Sequence, residues 1–285
     1  METHGDLGAF LRSRRALLRP EDAGLPVYGS SRRRVPGLRR EELAQLAGVS
    51  AGYYTRLEQG QSPNASDSVL DAVARVLRLD DDERAHLYSL ARPRPKAPRR
   101  ETEPERVRPG VRNMIRSFAD VPALVLGRFG DVLDWNRAAH ALLAGHLDIG
   151  SPDRRGDRPN IARLVFLDPR TRELYGAGDD GWARKARATV ADLRLIAGRF
   201  PDDPGLTRLV GELTAASAEF AELWAAHAVG DCGTDTRTYH HPKAGTMTLM
   251  VEFMALPNDE GQRVAVYGAE PGSASEAALP RLLAA

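Results

Sequence analysis

At 285 residues the chain is long enough for two domains with a sizeable core, and its 42% hydrophobic and 28% charged residues exclude global disorder. No apolar run approaches the ~20 residues that span a bilayer, and Met1 to Phe10 lacks a basic-then-apolar signal layout, so a cytoplasmic protein is expected. The single cysteine, Cys232, excludes an intrachain disulfide, and the net charge of +1 is split: residues 1–100 hold 18 Lys+Arg and 13 Asp+Glu (net +5), the remainder 22 and 26 (net −4). Only the N-terminal part is suited to a polyanion.

Leu7, Phe10, Leu11 and Arg14 fit a first helix, with Asp6 available as its cap. A longer connection follows, broken by Gly24, Pro26, Gly29, Pro36 and Gly37 and carrying Arg32, Arg33 and Arg34. From Leu38 to Gly60, the apolar positions Leu43, Ala44, Ala47, Val49, Tyr54 and Leu57 describe two short amphipathic helices broken at Gly48, which can take the left-handed conformation a tight turn needs. Ser50 is placed to cap the second helix, and this is the pattern of a helix-turn-helix. Ser50, Ala51, Gly52, Tyr53, Thr55 and Arg56 then form the expected DNA-reading end of that helix. Arg32, Arg33, Arg34, Arg39 and Arg40 form an expected phosphate clamp beside it. A solvated basic loop and an ordinary helical hairpin are the plainer alternatives.

Val69, Ala72, Val73, Val76 and Leu77 mark a further helix, and Glu83 to Leu90 another after three aspartates, giving a five-helix DNA-binding domain over residues 1–91. The prolines 93, 95, 98, 104 and 109 amid mixed charges read as an extended linker over residues 92–110.

The second domain, residues 111–285, opens with strands at Ala123 to Leu126 and Val132 to Trp135, then a helix capped by Asn136. A helical middle follows. Ile161, Leu164 and Val165 share one short helix; Trp182, Ala186, Val190, Leu193 and Ile196 a longer one; Leu206 to Leu213 and Phe220 to His227 two more. The end returns to strands: Thr234 to His240, then Met247, Leu249, Val251 and Phe253 alternating onto one face, then Val264, Val266 and Tyr267 after a turn at Pro257 to Gly261. The expected fold is therefore multidomain, α and α+β: a helical N-terminal domain and a five-stranded antiparallel sheet covered by helices.

The run RRRVPGLRREELAQLAGVSAGYYTRLEQG resembles the Xre-type helix-turn-helix regulators of actinomycete type. The stretches DPRTRELY, LWAAHAV, HHPKAG and YGAEPGSASEAAL resemble the MmyB-like ligand-binding domain. That resemblance implies a PAS-like second domain that binds a long-chain fatty acid or a similarly apolar small molecule. Two departures stand out: Gly176 to Gly181 intervenes before Trp182, and Tyr239-His240 precedes His241-Pro242 where the family more commonly carries arginine.

The apolar side chains Trp135, Trp224, Met247, Leu249, Val251 and Phe253 are either plain core or the wall of a ligand cavity, and Arg170, Arg194, Tyr239, His240 and His241 are the candidate donors for a carboxylate head group. His240 and His241, adjacent on a strand, point to opposite faces and do not make a metal site. With no phosphate loop, Gly-x-Ser-x-Gly elbow, HExxH or dinucleotide fingerprint, the chain reads as a transcriptional regulator and not an enzyme. Its expected partners are double-stranded DNA, a small apolar ligand and a second copy of itself, with no membrane and no obligatory cofactor. The alternative is a DNA-binding adaptor whose second domain docks a protein.

Overall fold

The computed structural model describes all residues except 1–2, 26–36, 62–64, 93–104, 179–180, 201–202, 229–233, 258, 260 and 285. The N-terminal helices are α1 (Thr3–Leu17), α2 (Arg40–Leu46), α3 (Ala51–Glu58), α4 (Asp67–Val76) and α5 (Asp81–Ala91). They share a core of Phe10, Leu11, Leu38, Leu43, Tyr54, Leu57, Leu70, Val73 and Leu87, which sit three or four residues apart on each helix because that spacing keeps them on one face. α1 begins before Asp6, so that residue lies inside the helix and not at its start. Asp80 and Glu83 form a reciprocal capping box that starts α5: Glu83 N–H donates to Asp80 and Asp80 N–H to Glu83.

Pro109 and Gly110, which the sequence suggests are the end of a linker, open α6 (Pro109–Ser117), where a first-turn proline loses no hydrogen bond. Strands β1 (Ala123–Leu126), β2 (Val132–Trp135), β3 (Asp235–His241), β4 (Gly245–Ala255) and β5 (Arg263–Gly268) form one antiparallel sheet in the order β2-β1-β5-β4-β3. Tyr239 lies opposite Met247, Val251 opposite Tyr267, and Leu124 opposite Trp135, so one face collects the large apolar side chains. Helices α7 (Arg137–Ala144), α8 (Ile161–Leu167), α9 (Pro169–Tyr175), α10 (Trp182–Arg199), α11 (Pro204–Ala216) and α12 (Ala218–Ala225) intervene between β2 and β3, and α13 (Ala274–Ala278) follows β5.

At the end of the sheet formed by β1 and β2, both faces are covered, because these strands are buried at every position. Val111 and Ile115 of α6 pack on Ala123, Val125, Leu133 and Val264, so α6 closes the opposite face at that end of the sheet. Toward β3 the same face is open, and Met250 and Met254 are exposed.

Two compact units form: Met1–Pro98 with Arg194–Thr207 and Trp224–Gly230, and Arg99–Leu193 with Arg208–Leu223 and Asp231–Ala285. Within the first, Ser89 donates to the Gly198 carbonyl (2.7 Å), while Arg14 bonds Glu83 (2.6 Å) and the His227 carbonyl (2.9 Å). No described helix is long and apolar enough to cross a membrane.

Candidate functional site

The helix-turn-helix is built from α2 and α3. Gly48 takes φ +68°, and the Val49 N–H reaches the Ala44 carbonyl (3.0 Å), which closes α2 and turns the chain. Ala44, 1% exposed, lets the two helices approach, and Ser50 accepts the Tyr53 N–H (3.1 Å) to start α3. Tyr54 and Leu57 face inward. Ala51, Gly52 and Arg56 are exposed, and Tyr53 and Thr55 half-exposed, so the outer surface of α3 holds the residues expected to meet DNA. The Thr55 hydroxyl already donates to the Ala51 carbonyl (2.8 Å), which leaves its lone pairs available to a base or phosphate donor.

Beneath this surface lies a charge network not foreseen from the sequence. Glu58, fully buried at the end of α3, accepts from Arg15 of α1 (3.1 Å to each oxygen) and from Arg40 of α2 (Nε 3.0 Å, Nη2 2.9 Å). Burial alone would raise this carboxyl, but hydrogen bonds and charge from Arg15 and Arg40 hold it below its ordinary value. The neighbouring Tyr54 phenol is pushed up by burial and by Glu58. Arg40 is therefore both an exposed cation near the reading helix and a strut of the motif. Arg39 is exposed, and its N–H bonds Glu42 (2.7 Å). Arg32, Arg33 and Arg34 lie outside the described residues.

In the second domain a cavity of about 40 Å³ sits between the sheet and its covering helices. Its walls are mostly apolar: Leu126, Phe129, Leu143, Ile161, Ala162, Tyr175, Leu193, Phe253 and Tyr267. The polar wall is one side of α10, Lys185, Thr189 and Asp192, with Arg263 of β5 opposite and paired to Asp192 (3.0 Å). Lys185 has no carboxylate partner among the described residues. Space of this size holds a few waters, so a larger guest must displace side chains.

Of the residues expected to surround a ligand, Phe253 lies on this wall, under the Arg263 guanidinium (4.9 Å). Met247, Leu249 and Val251 are buried in the adjoining core, as is Tyr239, whose ring meets those of Tyr175 (5.2 Å) and Tyr267 (6.1 Å). Trp135 is also core, its indole N–H donating to the Ile149 carbonyl (2.7 Å). His241 braces a turn: its Nδ1 accepts the Ala244 N–H (3.1 Å), so Nε2 carries the proton given to the Ala141 carbonyl (3.1 Å). His240 is exposed and bonds Thr246 (3.3 Å); Arg170 is exposed in the first turn of α9. Arg194 stacks on Trp224 (3.8 Å) and donates to its carbonyl; both belong to the first compact unit, and neither lines the cavity.

The polar wall has a signal in the sequence. Lys185, Thr189 and Asp192 recur at i, i+4 and i+7 beside the apolar stripe of α10, where a purely structural helix would place more apolar residues. Among the described residues no three potential ligands cluster for a metal.

Residues 6–87 match the family model of a helix-turn-helix domain, and residues 107–283 match that of the MmyB-like transcription regulator ligand binding domain. Among curated proteins, none matches the chain.

Proposed function

Because the chain belongs to the MmyB-like transcription regulators, pairing a DNA-binding helix-turn-helix with that family's ligand-binding domain, we propose that it is a cytoplasmic regulator whose operator affinity is set by a fatty-acid-like ligand. The observation that carries this reading is the cavity in the second domain, apolar on most sides with Lys185 exposed to it from α10. An aliphatic chain would lie against Phe129, Ile161, Phe253 and Tyr267, and a carboxylate head would take the ammonium of Lys185. Entry requires α8 and α10 to give way from the sheet, and a ligand that binds the widened form better shifts the population toward it.

One helix-turn-helix reads one half-site, so we infer a homodimer on an inverted repeat, with Tyr53 and Arg56 at base edges and Arg32, Arg33, Arg34, Arg39 and Arg40 near phosphates. The chain is not assigned an enzymatic role.

Native and denaturing mass measurement of the purified protein tests the ligand. A defined excess mass lost on denaturation, and reduced by Lys185→Met, supports it. The small volume of the cavity favours a second reading, an adaptor with a closed second domain. That reading is supported if no excess mass appears across several expression hosts and added fatty acids neither bind nor alter operator affinity.

A further inference from the structure

A second concavity opens on the other side of the second domain, with a volume of about 520 Å³, inside the roughly 300–1,000 Å³ range of small-molecule sites. It lies where the chain enters α6 and where the loop after α7 returns, and its chemistry is unlike that of the apolar cavity. Arg106, Arg112, Arg155 and Arg158 line it against only two carboxylates, Glu105 and Asp153.

Both carboxylates are already engaged. Glu105 accepts the Arg128 N–H (3.0 Å) and lies 3.6 Å from its guanidinium; Asp153 meets Arg112 (3.3 Å), which also pairs with the buried Asp134 (2.7 Å). Arg106, Arg155 and Arg158 make no ion pair among the described residues, although the charge of Arg158 is felt by Glu105. Arg158 is held by its Nε bond to the Pro152 carbonyl (2.9 Å). This positive surplus sits in residues 101–285, whose net charge is −4, so it is a local concentration and not part of a generally basic surface.

We infer that this concavity binds a small phosphorylated molecule, its phosphates held by Arg106, Arg155 and Arg158 and its organic part resting on the apolar side chains of Val107 and Pro109. Planar guanidinium groups suit phosphate oxygens because each presents paired N–H donors. The concave shape favours a small ligand over the phosphates of a duplex, which present a convex edge. The site is separate from the fatty-acid-like ligand and stands whether or not that reading holds.

The test uses the full chain with ADP as probe, and pyrophosphate and adenosine as its two halves, at 0.15 M salt. The expected result is saturable binding by titration calorimetry, stronger for ADP than for either half. Arg155→Glu and, separately, Arg106→Glu weaken it at least tenfold; both residues are exposed, and unchanged thermal midpoints confirm that the variants fold. Non-saturable binding, wild-type affinity in both variants, or identical heats with sulfate at matched ionic strength overturns the proposal. So does a pair of variants that lose affinity for a duplex of unrelated sequence while ADP has no effect, because the arginines would then be DNA contacts.

Discussion

Arg40 and Arg56 look alike in the sequence, two arginines flanking one short motif, yet their surroundings predict different variants. Arg56 is exposed on α3 and holds no described carboxylate, so Arg56→Ala and Tyr53→Ala are each expected to weaken specific DNA binding by about 1–3 kcal/mol with the thermal midpoint unchanged. Arg40 also satisfies Glu58, a carboxylate with no access to water. Removing one partner of a buried ion pair costs roughly 3–5 kcal/mol when the remaining charge is stranded, and less where a second arginine stays, as Arg15 does here. Arg40→Ala should therefore lower stability and DNA affinity together. Denaturant titration beside a binding isotherm separates the cases: an Arg40→Ala protein with wild-type stability would show that Arg15 alone satisfies Glu58. The network was illegible in the sequence because its members are 43 and 18 residues apart, and no periodicity links them.

At the scale of elements, legibility followed locality. The turn at Gly48, the Ser50 cap, the hairpin strands and the cap at Asn136 each depend on neighbours within a few residues, and each could be read. The cover that α6 lays over the second sheet face, and the inward polar side of α10, depend on what packs against them, which spacing alone does not encode. Asn136 shows both kinds of information. Its cap bond to the Ala139 N–H (2.8 Å) was foreseeable, whereas its bonds to the Ala123 N–H (3.1 Å) and to the Val121 (2.8 Å) and Phe118 (3.0 Å) carbonyls were not. Loss of that side chain strands several buried groups at about 1–3 kcal/mol each, so Asn136→Ala should destabilise the second domain by more than the ~1 kcal/mol of a simple cap. A loss near 1 kcal/mol by denaturant titration would mean water replaces the missing partners. The cavity gives a paired prediction. Val251 is 5% exposed in filled core, and Val251→Trp should cost about 1–3 kcal/mol by overpacking. Ala162 lies on the cavity wall, so Ala162→Val should be within about 1 kcal/mol of wild type and should reduce fatty-acid uptake. Equal destabilisation by both would mean the cavity wall is as rigid as the core.

Over the whole molecule, charge and burial meet in the first compact unit. His86 of α5 is 3% exposed, edge-on to Phe10 (5.1 Å), with Gly198 so close that a Cβ there would lie 2.6 Å from its Nδ1. Burial first, then the charges of Arg194, His227 and Arg14, lower its pKa to about 3; His227 is lowered to about 4 by burial, Arg194, Arg12 and Arg14. Every charged group named around the two rings is cationic, so protonation gains no compensating partner from them. Unfolded histidines bind protons near pH 6.5, whereas the folded ones stay neutral down to about 3 and 4. Acid therefore favours the unfolded chain. Stability is fully present above pH 6.5 and declines as the pH falls below it, at up to about 1.4 kcal/mol per pH unit for a buried group such as His86. Glu58 adds its own loss only lower, as the pH falls from the ordinary carboxylate value toward its depressed one, whereas burial raises the Glu83 and Glu105 carboxyls, which take up protons earlier in the folded chain and oppose the trend, so the histidine contribution is read from the difference between wild type and a histidine variant. His86→Leu keeps the volume and removes the titration, and Nδ1 has no hydrogen-bond partner to lose. Its unfolding free energy, followed by denaturant titration at pH 7.5, 6.5 and 5.5, should be flatter with pH than that of the wild type. Parallel curves would place the acid sensitivity elsewhere, with His227 the next residue to replace.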